Sequence, residues 1–227
     1  MEDTRIGSQV SVDDLLAMLV AQVVQQPGPR VLVAVDGPDA AGKTTMADAL
    51  AQRLPGQVVR ASIDGFDHRR EHRLRRGSLS PEGYYRDSFD NEGLRRLLLE
   101  PFRSGEREVV ARTFDFRSET ATPPKPLYIE DHAVLLFDGV FLLRPELRHQ
   151  WDLSIYLHVE PDVTLARARE RDLDLFGSDG EVEVRYGQRY IPGQALYRDE
   201  ADPMGVASLL VDNTDPAAPL ILARPTG

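Results

Sequence analysis

Residues 37–44 have the types and spacing of a loop that binds a phosphate chain. They read Gly-Pro-Asp-Ala-Ala-Gly-Lys-Thr, which satisfies the pattern G-x-x-x-x-G-K-[ST]. Backbone N–H groups of such a loop, with the first turn of the helix that follows, hold several negative charges without a large desolvation cost. Gly37 and Gly42 let the backbone curl closely, whereas Lys43 can reach the β- and γ-phosphates of a nucleoside triphosphate. We call residues 37–44 the P-loop.

The P-loop follows an apolar strand pattern and opens a helical pattern, as phosphate binding by this motif requires. A merely structural turn is the alternative, and this context argues against it. The hydroxyl of Thr44 is suited to Mg²⁺, which accompanies the phosphates of ATP. The predicted nucleotide-binding residues are Gly37, Pro38, Asp39, Ala40, Ala41, Gly42, Lys43, Thr44 and Thr45.

Two aspartates end apolar runs that predict buried strands. Asp138 ends residues 133–138, and Asp64 ends residues 57–64. Because the carboxyl ends of parallel strands meet at one edge of a sheet, both should lie beside the P-loop. Asp138 can hold magnesium, directly or through water, and Asp64 can orient an acceptor hydroxyl and take its proton. The alternatives are a strand cap for Asp138 and a turn residue for Asp64.

Arginines predict a mobile cover over this edge. Arg167 and Arg171 are four apart, so a helix places both on one face. Residues 165–192 also contain three glycines and many charges, which is typical of a lid. Arginines on a lid can neutralise charge that develops during phosphoryl transfer. The alternative is an exposed helix whose arginines pair with Glu170 and Asp172.

Apolar runs of strand length alternate with helical patterns along the chain. The predicted strands cover residues 30–36, 57–64, 133–138, 153–159 and 208–211, and the predicted helices cover residues 11–23, 43–54, 91–102 and 161–172. Residues 66–85 are predicted to be irregular, and residues 108–113 can pair with 127–130 as a small ribbon on the substrate side. This alternation predicts an α/β, P-loop NTPase fold with a doubly wound parallel sheet of about five strands flanked by helices.

Composition narrows the classes of function. The chain has 227 residues, 41% of them hydrophobic, which suits one α/β domain over residues 1–227 with an N-terminal helix and linker at 1–28. A net charge of −10 argues against wide nucleic-acid binding, which needs a basic surface. The sequence lacks cysteine, a signal-peptide pattern and an apolar run long enough to span a bilayer. We expect a cytoplasmic protein that acts on a small molecule, without nucleic-acid or membrane partners; homo-oligomerisation is left open.

The motifs resemble those of the uridine kinase family of P-loop kinases, which is related to pantothenate kinase and phosphoribulokinase. The resemblance runs from about residue 31 to residue 215. It rests on the segments VDGPDAAGKTT at the P-loop, Asp64-Gly65-Phe66, DSFD at residues 87–90, Phe114-Asp115-Phe116 and LLFDGVF around Asp138. It implies ATP and Mg²⁺ as cofactors and transfer of a phosphoryl group to the 5′-hydroxyl of a pyrimidine nucleoside.

Roles for individual positions follow from the resemblance. Asp64 matches the base near the metal, and Asp138 matches an acidic residue associated with the metal. Arg167 and Arg171 match lid arginines. The segment with Asn213 and Asp215 falls beside the adenine. The implied substrate-binding residues are Phe66, Tyr84, Tyr85, Asp87, Phe114, Asp115 and Glu119.

Two of these positions depart from the nucleoside enzymes. Phe114 and Glu119 stand where a tyrosine and a histidine recognise the pyrimidine in that family. An ionised Glu119 accepts a hydrogen bond from the amino group of cytosine and repels a carbonyl oxygen of uracil, so we expect cytidine to be phosphorylated as well as uridine. Pantothenate and a sugar phosphate are alternative acceptors, the latter because five arginines crowd residues 69–76. A nucleotide-binding regulator or NTPase switch without transfer is the alternative of another class, although the N-K-x-D segment of GTPases is absent.

Overall fold

Within residues 7–115 and 118–223, which the computed structural model describes, seven strands form one sheet in the order β1-β11-β10-β9-β2-β8-β3. Two small ribbons, β4-β7 and β5-β6, accompany it. The strands are β1 Ser8–Gln9, β2 Arg30–Asp36, β3 Gln57–Ser62, β4 Glu108–Val110, β5 Phe114–Asp115, β6 Thr120–Ala121, β7 Pro126–Tyr128, β8 Ala133–Asp138, β9 Leu153–His158, β10 Leu209–Asp212 and β11 Leu220–Ala223.

Helices connect these strands. They are α1 Val12–Val24, α2 Lys43–Ala51, α3 Arg70–Arg73, α4 Pro81–Asp87, α5 Asn91–Leu94, α6 Glu100–Ser104, α7 Pro161–Arg171, α8 Leu173–Phe176, α9 Asp179–Arg185, α10 Ile191–Ala201 and α11 Pro203–Val206. π-Helical turns at Arg95–Leu99 and Tyr186–Tyr190 join α5 to α6 and α9 to α10. Turns of 3-10 helix lie at Ile63–Phe66 and Arg148–Gln150.

The centre of the sheet is parallel, from β10 through β9, β2 and β8 to β3. This arrangement confirms the predicted α/β fold with a doubly wound parallel sheet. The prediction that residues 208–211 form the last strand was wrong, because the apolar run at Leu220–Ala223 returns antiparallel to β10 and β1 then pairs with it. The sheet is therefore wider than expected at one edge.

Two apolar layers cover the sheet. Alternate residues of β2 point to opposite faces, with Val31, Val33 and Val35 on one and Leu32 and Ala34 on the other. Helices α1 and α2 bury the first face. The second face packs against a cluster rich in aromatic residues: Phe66, Tyr84, Tyr85, Phe137, Phe141, Trp151, Tyr156 and Tyr197. Both faces of β2 are thus in the core, which places its carboxyl end, and the P-loop, at the middle of one rim.

Strand β3 is shorter than predicted. It ends at Ser62, whose hydroxyl accepts the N–H of Asp64 at 3.4 Å and begins the turn at Ile63–Phe66. Asp64 therefore lies in this turn, two residues beyond the strand.

Residues 66–85 were expected to be irregular, and this expectation was wrong. They contain α3 and most of α4. Ser80 caps α4 by accepting the N–H of Gly83 at 3.0 Å, and Pro81 occupies its first turn. The expected pairing of the segments near 108–113 and 127–130 is confirmed as β4-β7. Residues 165–192 are mostly helical, and their mobility stays a prediction. Among the described residues, no helix has the length and apolar character needed to cross a bilayer.

A substitution at Gly139, directly after β8, tests how tightly the carboxyl end of the sheet is packed. A Cβ there would lie 2.5 Å from Cγ2 of Ile63, a buried side chain in the turn after β3. We expect Gly139→Ala to lower the free energy of unfolding by about 1–3 kcal/mol, because the core has no room for the methyl group. Gly180→Ala is the control, since no atom lies within 4 Å of its Cβ position. Equal melting temperatures for both variants in thermal denaturation would contradict the expected overpacking.

Candidate active site

The P-loop has glycine at two points where the backbone closely approaches the sheet. Gly37 and Gly42 have φ values of 147° and 88°. A Cβ on Gly37 would lie 2.4 Å from the carbonyl oxygen of Leu157, and one on Gly42 would lie 2.9 Å from Nδ2 of Asn213. A Cβ at Gly37 would displace the backbone of β9, and a Cβ at Gly42 would push away the side-chain amide of Asn213, which binds the carbonyl oxygen of Ala41. The loop therefore depends on these glycines for packing as well as for backbone conformation.

Lys43 closes the P-loop across its interior. Its Nζ donates to the carbonyl oxygen of Pro38 at 2.6 Å. Burial lowers the pKa of the Lys43 ammonium, while Asp39 and Asp36 act in the opposite direction. A cation is thus held within the loop, which suits a bound phosphate chain.

Thr44 and Asp138 form a hydrogen-bonded pair beside the loop. Thr44 Oγ1 donates to Asp138 Oδ2 at 2.7 Å, and Arg60 Nη2 lies 2.8 Å from Asp138 Oδ1. Arg60 also donates to the carbonyl oxygen of Leu136 at 2.8 Å, so β3 carries this arginine to its neighbour β8. An exposed hydroxyl next to a carboxylate fits Mg²⁺, which prefers oxygen ligands. In the described part of the chain no group of three or more His, Cys, Asp or Glu could hold a metal.

Asp64 lies in the turn after β3, the strand that pairs with β8, and is exposed. Desolvation by the surrounding protein raises the pKa of its carboxyl group, and Asp138 and Asp39 contribute in the same direction. Lys43 opposes them. The charges that follow β2, β3 and β8 therefore influence one another at this edge of the sheet.

Arg167 joins the P-loop to the segment after β10. Its guanidinium donates to the carbonyl oxygen of Ala40 at 3.3 Å and to those of Asn213 and Thr214 at 2.9 Å each. Asn213 Nδ2 returns a bond of 2.7 Å to the carbonyl oxygen of Ala41. Hydrogen bonds in both directions therefore connect the P-loop to the segment that the resemblance places beside the adenine. Asp215 lies further along and accepts the N–H of Ala217 at 3.0 Å.

Arg171 is held at the end of α7 by its neighbour. Its Nε and Nη2 lie 2.7 and 2.9 Å from the two carboxylate oxygens of Asp172, and Nη2 also donates to the hydroxyl of Tyr186 at 3.1 Å. This hydrogen bonding raises the pKa of Arg171. Its charge acts on both Lys43 and Asp64, so Arg171 lies within electrostatic reach of the cleft.

The aromatic residues predicted to bind substrate lie in the core. Phe66, Tyr84, Tyr85 and Phe114 are all buried, with 0–5% of their surface exposed. Tyr84 donates to Asp39 Oδ2 of the P-loop at 2.8 Å. Their packing supports the rim from below, and a direct contact with substrate stays a prediction.

Asp87 is also buried, with 1% of its surface exposed, and two arginines hold it. Arg75 Nη2 lies 2.5 Å from Oδ1, and Arg76 Nε lies 2.7 Å from Oδ2. Burial acts to raise the pKa of Asp87, but these arginine bonds outweigh it and lower the pKa. The Asp87 carboxylate, which the resemblance implies as a substrate-binding group, is therefore already paired with guanidinium groups.

Asp115 and Glu119 lie on the β5-β6 ribbon. Glu119 is exposed and pairs with Arg73, whose Nη2 lies 2.5 Å from Oε1. Asp115 accepts the N–H of Ser118 at 3.3 Å. The N–H of Thr113 donates to the carbonyl oxygen of Gly65 at 2.8 Å and joins the ribbon to the Asp64 turn. Phe116, part of the resemblance, lies outside the described residues.

Three charged residues at the site were missed by the sequence analysis. Arg60 binds Asp138, and Asp36 is completely buried at the end of β2. Asp67 follows the Asp64 turn; burial raises its pKa to about 8, Asp64 adds to this, and Arg73 opposes it. Charged residues within or at the end of apolar strand patterns were the available signal for Arg60 and Asp36, whereas Asp67 lies three residues beyond its predicted strand and had no such signal.

The comparisons with known proteins agree with this fold. Residues 32–184 match the Phosphoribulokinase / Uridine kinase family. A possible uridine kinase from Bacillus stearothermophilus has a similar structure, with a TM-score of 0.70, 21% identity, and coverage of 88% of this chain and 98% of that chain. A candidate fructose transport system kinase from Silicibacter sp. TM1040 has a TM-score of 0.69, 25% identity, and coverage of 85% and 96%. D-glycerate 3-kinase from Cryptococcus neoformans var. grubii has a TM-score of 0.58, 14% identity, and coverage of 84% and 89%.

No curated protein matches the chain significantly in sequence. The family match nevertheless covers well over half of the chain and includes the P-loop, the Asp64 turn and Asp138. The chain belongs to the phosphoribulokinase/uridine kinase family and is an ATP-dependent P-loop kinase.

Proposed function

We propose that this kinase transfers the γ-phosphoryl group of ATP to a hydroxyl of a small metabolite, and that the acceptor is a pyrimidine nucleoside. The observation that carries the proposal is the hydrogen bond between Thr44 and Asp138 beside the loop that holds the Lys43 ammonium, with Asp64 in the turn after the neighbouring strand β3. A transfer site needs a cation for the phosphates, oxygen ligands for a metal and a proton acceptor for the alcohol. These residues supply all three.

On the donor side, the P-loop N–H groups and Lys43 hold the phosphate chain. Thr44 and Asp138 are the proposed metal-holding pair, and the bond between them supports this assignment. Bound magnesium neutralises phosphate charge and makes the γ-phosphoryl group easier to attack. Arg60 keeps the Asp138 carboxylate oriented while leaving Thr44 exposed. Asn213 and Asp215 border the proposed adenine site.

On the acceptor side, Asp64 is the proposed base. It orients the acceptor hydroxyl and takes its proton as the new O–P bond forms and the bond from the γ-phosphorus to ADP breaks. The raised pKa of Asp64 makes it a better proton acceptor than an ordinary carboxylate. Arg171 is the proposed source of positive charge at the transferring group, whereas Arg167 joins the P-loop, at the carbonyl oxygen of Ala40, to those of Asn213 and Thr214. Closure of residues 165–192 would exclude water.

The proposed acceptor region lies between the Asp64 turn and the β5-β6 ribbon. Asp115 is the proposed partner for the ribose diol, because Asp87 is occupied by Arg75 and Arg76. The Arg73–Glu119 pair presents a donor beside an acceptor. Such a pair matches a pyrimidine edge, where the guanidinium donates to a carbonyl oxygen and the carboxylate accepts from the amino group of cytosine.

A phosphorylated acceptor, such as a sugar phosphate, is the second candidate. Arg69 and Arg70 at the start of α3 are exposed, and neither forms an ion pair with another residue that the structure describes. Two such guanidinium groups close to the acceptor region favour an anion. Pantothenate, which carries a carboxylate, falls under the same reasoning.

Lys43→Ala tests the donor side. We expect turnover to fall by about a thousandfold or more, because the cation at the β- and γ-phosphates is lost. Lys125→Ala is a matched control, since Lys125 is the only other lysine and is exposed on the loop before β7. ADP release measured by a coupled assay, with circular dichroism to verify folding, gives the comparison. Near-normal turnover of a folded Lys43→Ala enzyme would rule out this role.

Asp64→Asn and Asp138→Asn separate the base from the metal ligand. Asp64→Asn removes the proton acceptor, so we expect turnover to fall strongly while an ATP analogue still binds. Asp138→Asn weakens the metal site, so we expect raised magnesium to restore part of its activity. Titration of Mg²⁺ from micromolar to tens of millimolar would distinguish the variants. An identical response of the two variants to magnesium would contradict the assignment of Asp64 as the base and Asp138 as the metal ligand.

The acceptor is tested by ADP release with uridine, cytidine, pantothenate and sugar phosphates. We expect transfer to cytidine and uridine, and we expect Glu119→Gln to reduce the rate with cytidine more than with uridine, because the acceptor for the amino group is weakened. Glu82→Gln, an exposed residue of α4, is the control. Clear transfer to a sugar phosphate alone would replace the nucleoside with the second candidate and leave the donor-side roles intact.

A further inference from the structure

Asp36, the last residue of β2, accepts hydrogen bonds from three different elements. Its Oδ1 accepts the N–H of Gly37 at 2.7 Å, and its Oδ2 accepts the N–H of Leu143 at 3.1 Å. Oδ2 also accepts the hydroxyl of Tyr197, on α10, at 2.5 Å. The Leu143 N–H bonds to the Tyr197 hydroxyl as well, at 2.9 Å. One carboxylate therefore connects the first P-loop residue, the segment after β8 and α10.

Burial of the Asp36 carboxylate opposes its ionisation. Asp36 has 0% of its surface exposed, and burial raises its pKa to about 6 even though three donors and Lys43 act against the increase. A buried carboxylate often contributes less to stability than a well-packed apolar residue, whereas it holds its donors in defined directions. We therefore expect Asp36 to contribute by fixing the positions of the groups that donate hydrogen bonds to it, more than by stabilising the fold.

The elements that meet at Asp36 have little freedom to move separately. Gly37 lies against Leu157, where even a Cβ would be 2.4 Å from the carbonyl oxygen. Phe141, in the segment after β8, has a φ of 65° and packs edge-on against Tyr84, Tyr85 and Tyr197, with ring centroids 4.9, 5.0 and 5.1 Å away. A shift of one element is therefore transmitted to the others.

Helix α10 is equally constrained on its other side. A Cβ on Gly193 would lie 2.7 Å from Cδ1 of Tyr84, whose hydroxyl binds Asp39 in the P-loop. Thus α10 is connected to the loop twice: through Tyr197 and Asp36 to Gly37, and through Tyr84 to Asp39. The first two residues of the same helix are the last two of residues 165–192, the predicted lid.

We propose that Asp36 and Tyr197 are a positioning pair that holds the first turn of the P-loop in register with the segment after Asp138 and with α10. Both side chains are buried, so they act through the P-loop and not by contact with substrate. The N–H of Gly37 is committed to Asp36, which leaves the later N–H groups of the loop for the phosphates. The pair aligns the P-loop with Asp138, on which binding of the metal-bound nucleotide depends. The proposal rests on the kinase activity of the family and is independent of the acceptor.

Tyr197→Phe removes one hydroxyl and keeps the ring that packs against Phe141. Because the lost bond involves a charged group, we expect kcat/KM for ATP to fall about tenfold or more. The KM for the acceptor, which does not bind the P-loop, should change less than twofold. Tyr156→Phe is the matched control: its ring is buried on β9 directly opposite Asp36, and its hydroxyl interacts with Arg198. Both variants lose a buried hydroxyl, so a general loss of stability affects both.

Hydrogen exchange of individual amides provides a readout that does not depend on activity. In the natural chain, the Gly37 and Leu143 amides should be protected and should open together, because one carboxylate accepts both. In Tyr197→Phe, both should exchange faster, whereas Tyr156→Phe should leave them unchanged. The proposal is overturned if Tyr197→Phe loses no more kcat/KM for ATP than Tyr156→Phe. Independent opening of the two amides in the natural chain would also overturn it, and this measurement remains decisive if Tyr197→Phe does not fold.

Discussion

The close approach of the P-loop to the sheet beneath it is the constraint on which the rest of the site depends. At Gly37 the backbone contacts the carbonyl side of β9, and at Gly42 it contacts Asn213 after β10. Both contacts are possible because the strands lie in the order β10-β9-β2 in the parallel centre of the sheet. The conformation of the P-loop and the position of the start of α2 therefore depend on the strand order.

Cations are distributed unevenly in this acidic chain. Of 27 basic residues only Lys43 and Lys125 are lysines, and the lysine in the P-loop is the compact charge that phosphate groups require. Arginines instead hold other groups in place: Arg60 orients Asp138, Arg167 binds three carbonyl oxygens, and Arg171 is bound by Asp172. A planar guanidinium with several donors is suited to such bridging. Most of the positive charge near the cleft therefore maintains the geometry within which Lys43 acts.

The proposed acceptor region differs from the P-loop in how its predicted binding residues are used. Aromatic side chains that could have formed a wall for a base are packed in the core, and carboxylates that could have met a substrate are paired with arginines of α3 and the residues after it. In the proposed acceptor region, Arg73 and the exposed Glu119 form an ion pair between α3 and the β5-β6 ribbon. Under this proposal, selectivity between acceptors depends on whether a substrate can replace this ion pair without leaving either partner unsatisfied.

The sequence by itself determined the P-loop, the parallel α/β fold and the locations of its main strands, because these depend on local patterns: glycine spacing, buried apolar runs and helix caps. Asp138 was placed correctly at the end of its strand for the same reason. The position of Asp64 in a turn, the helices in residues 66–85 and the two edge strands depended on capping contacts and pairings that local patterns do not fully encode. Only the tertiary structure decided which charges meet. Asp36 lies 161 residues from Tyr197, and Arg60 lies 78 residues from Asp138, so their partners are specified by chain topology and packing.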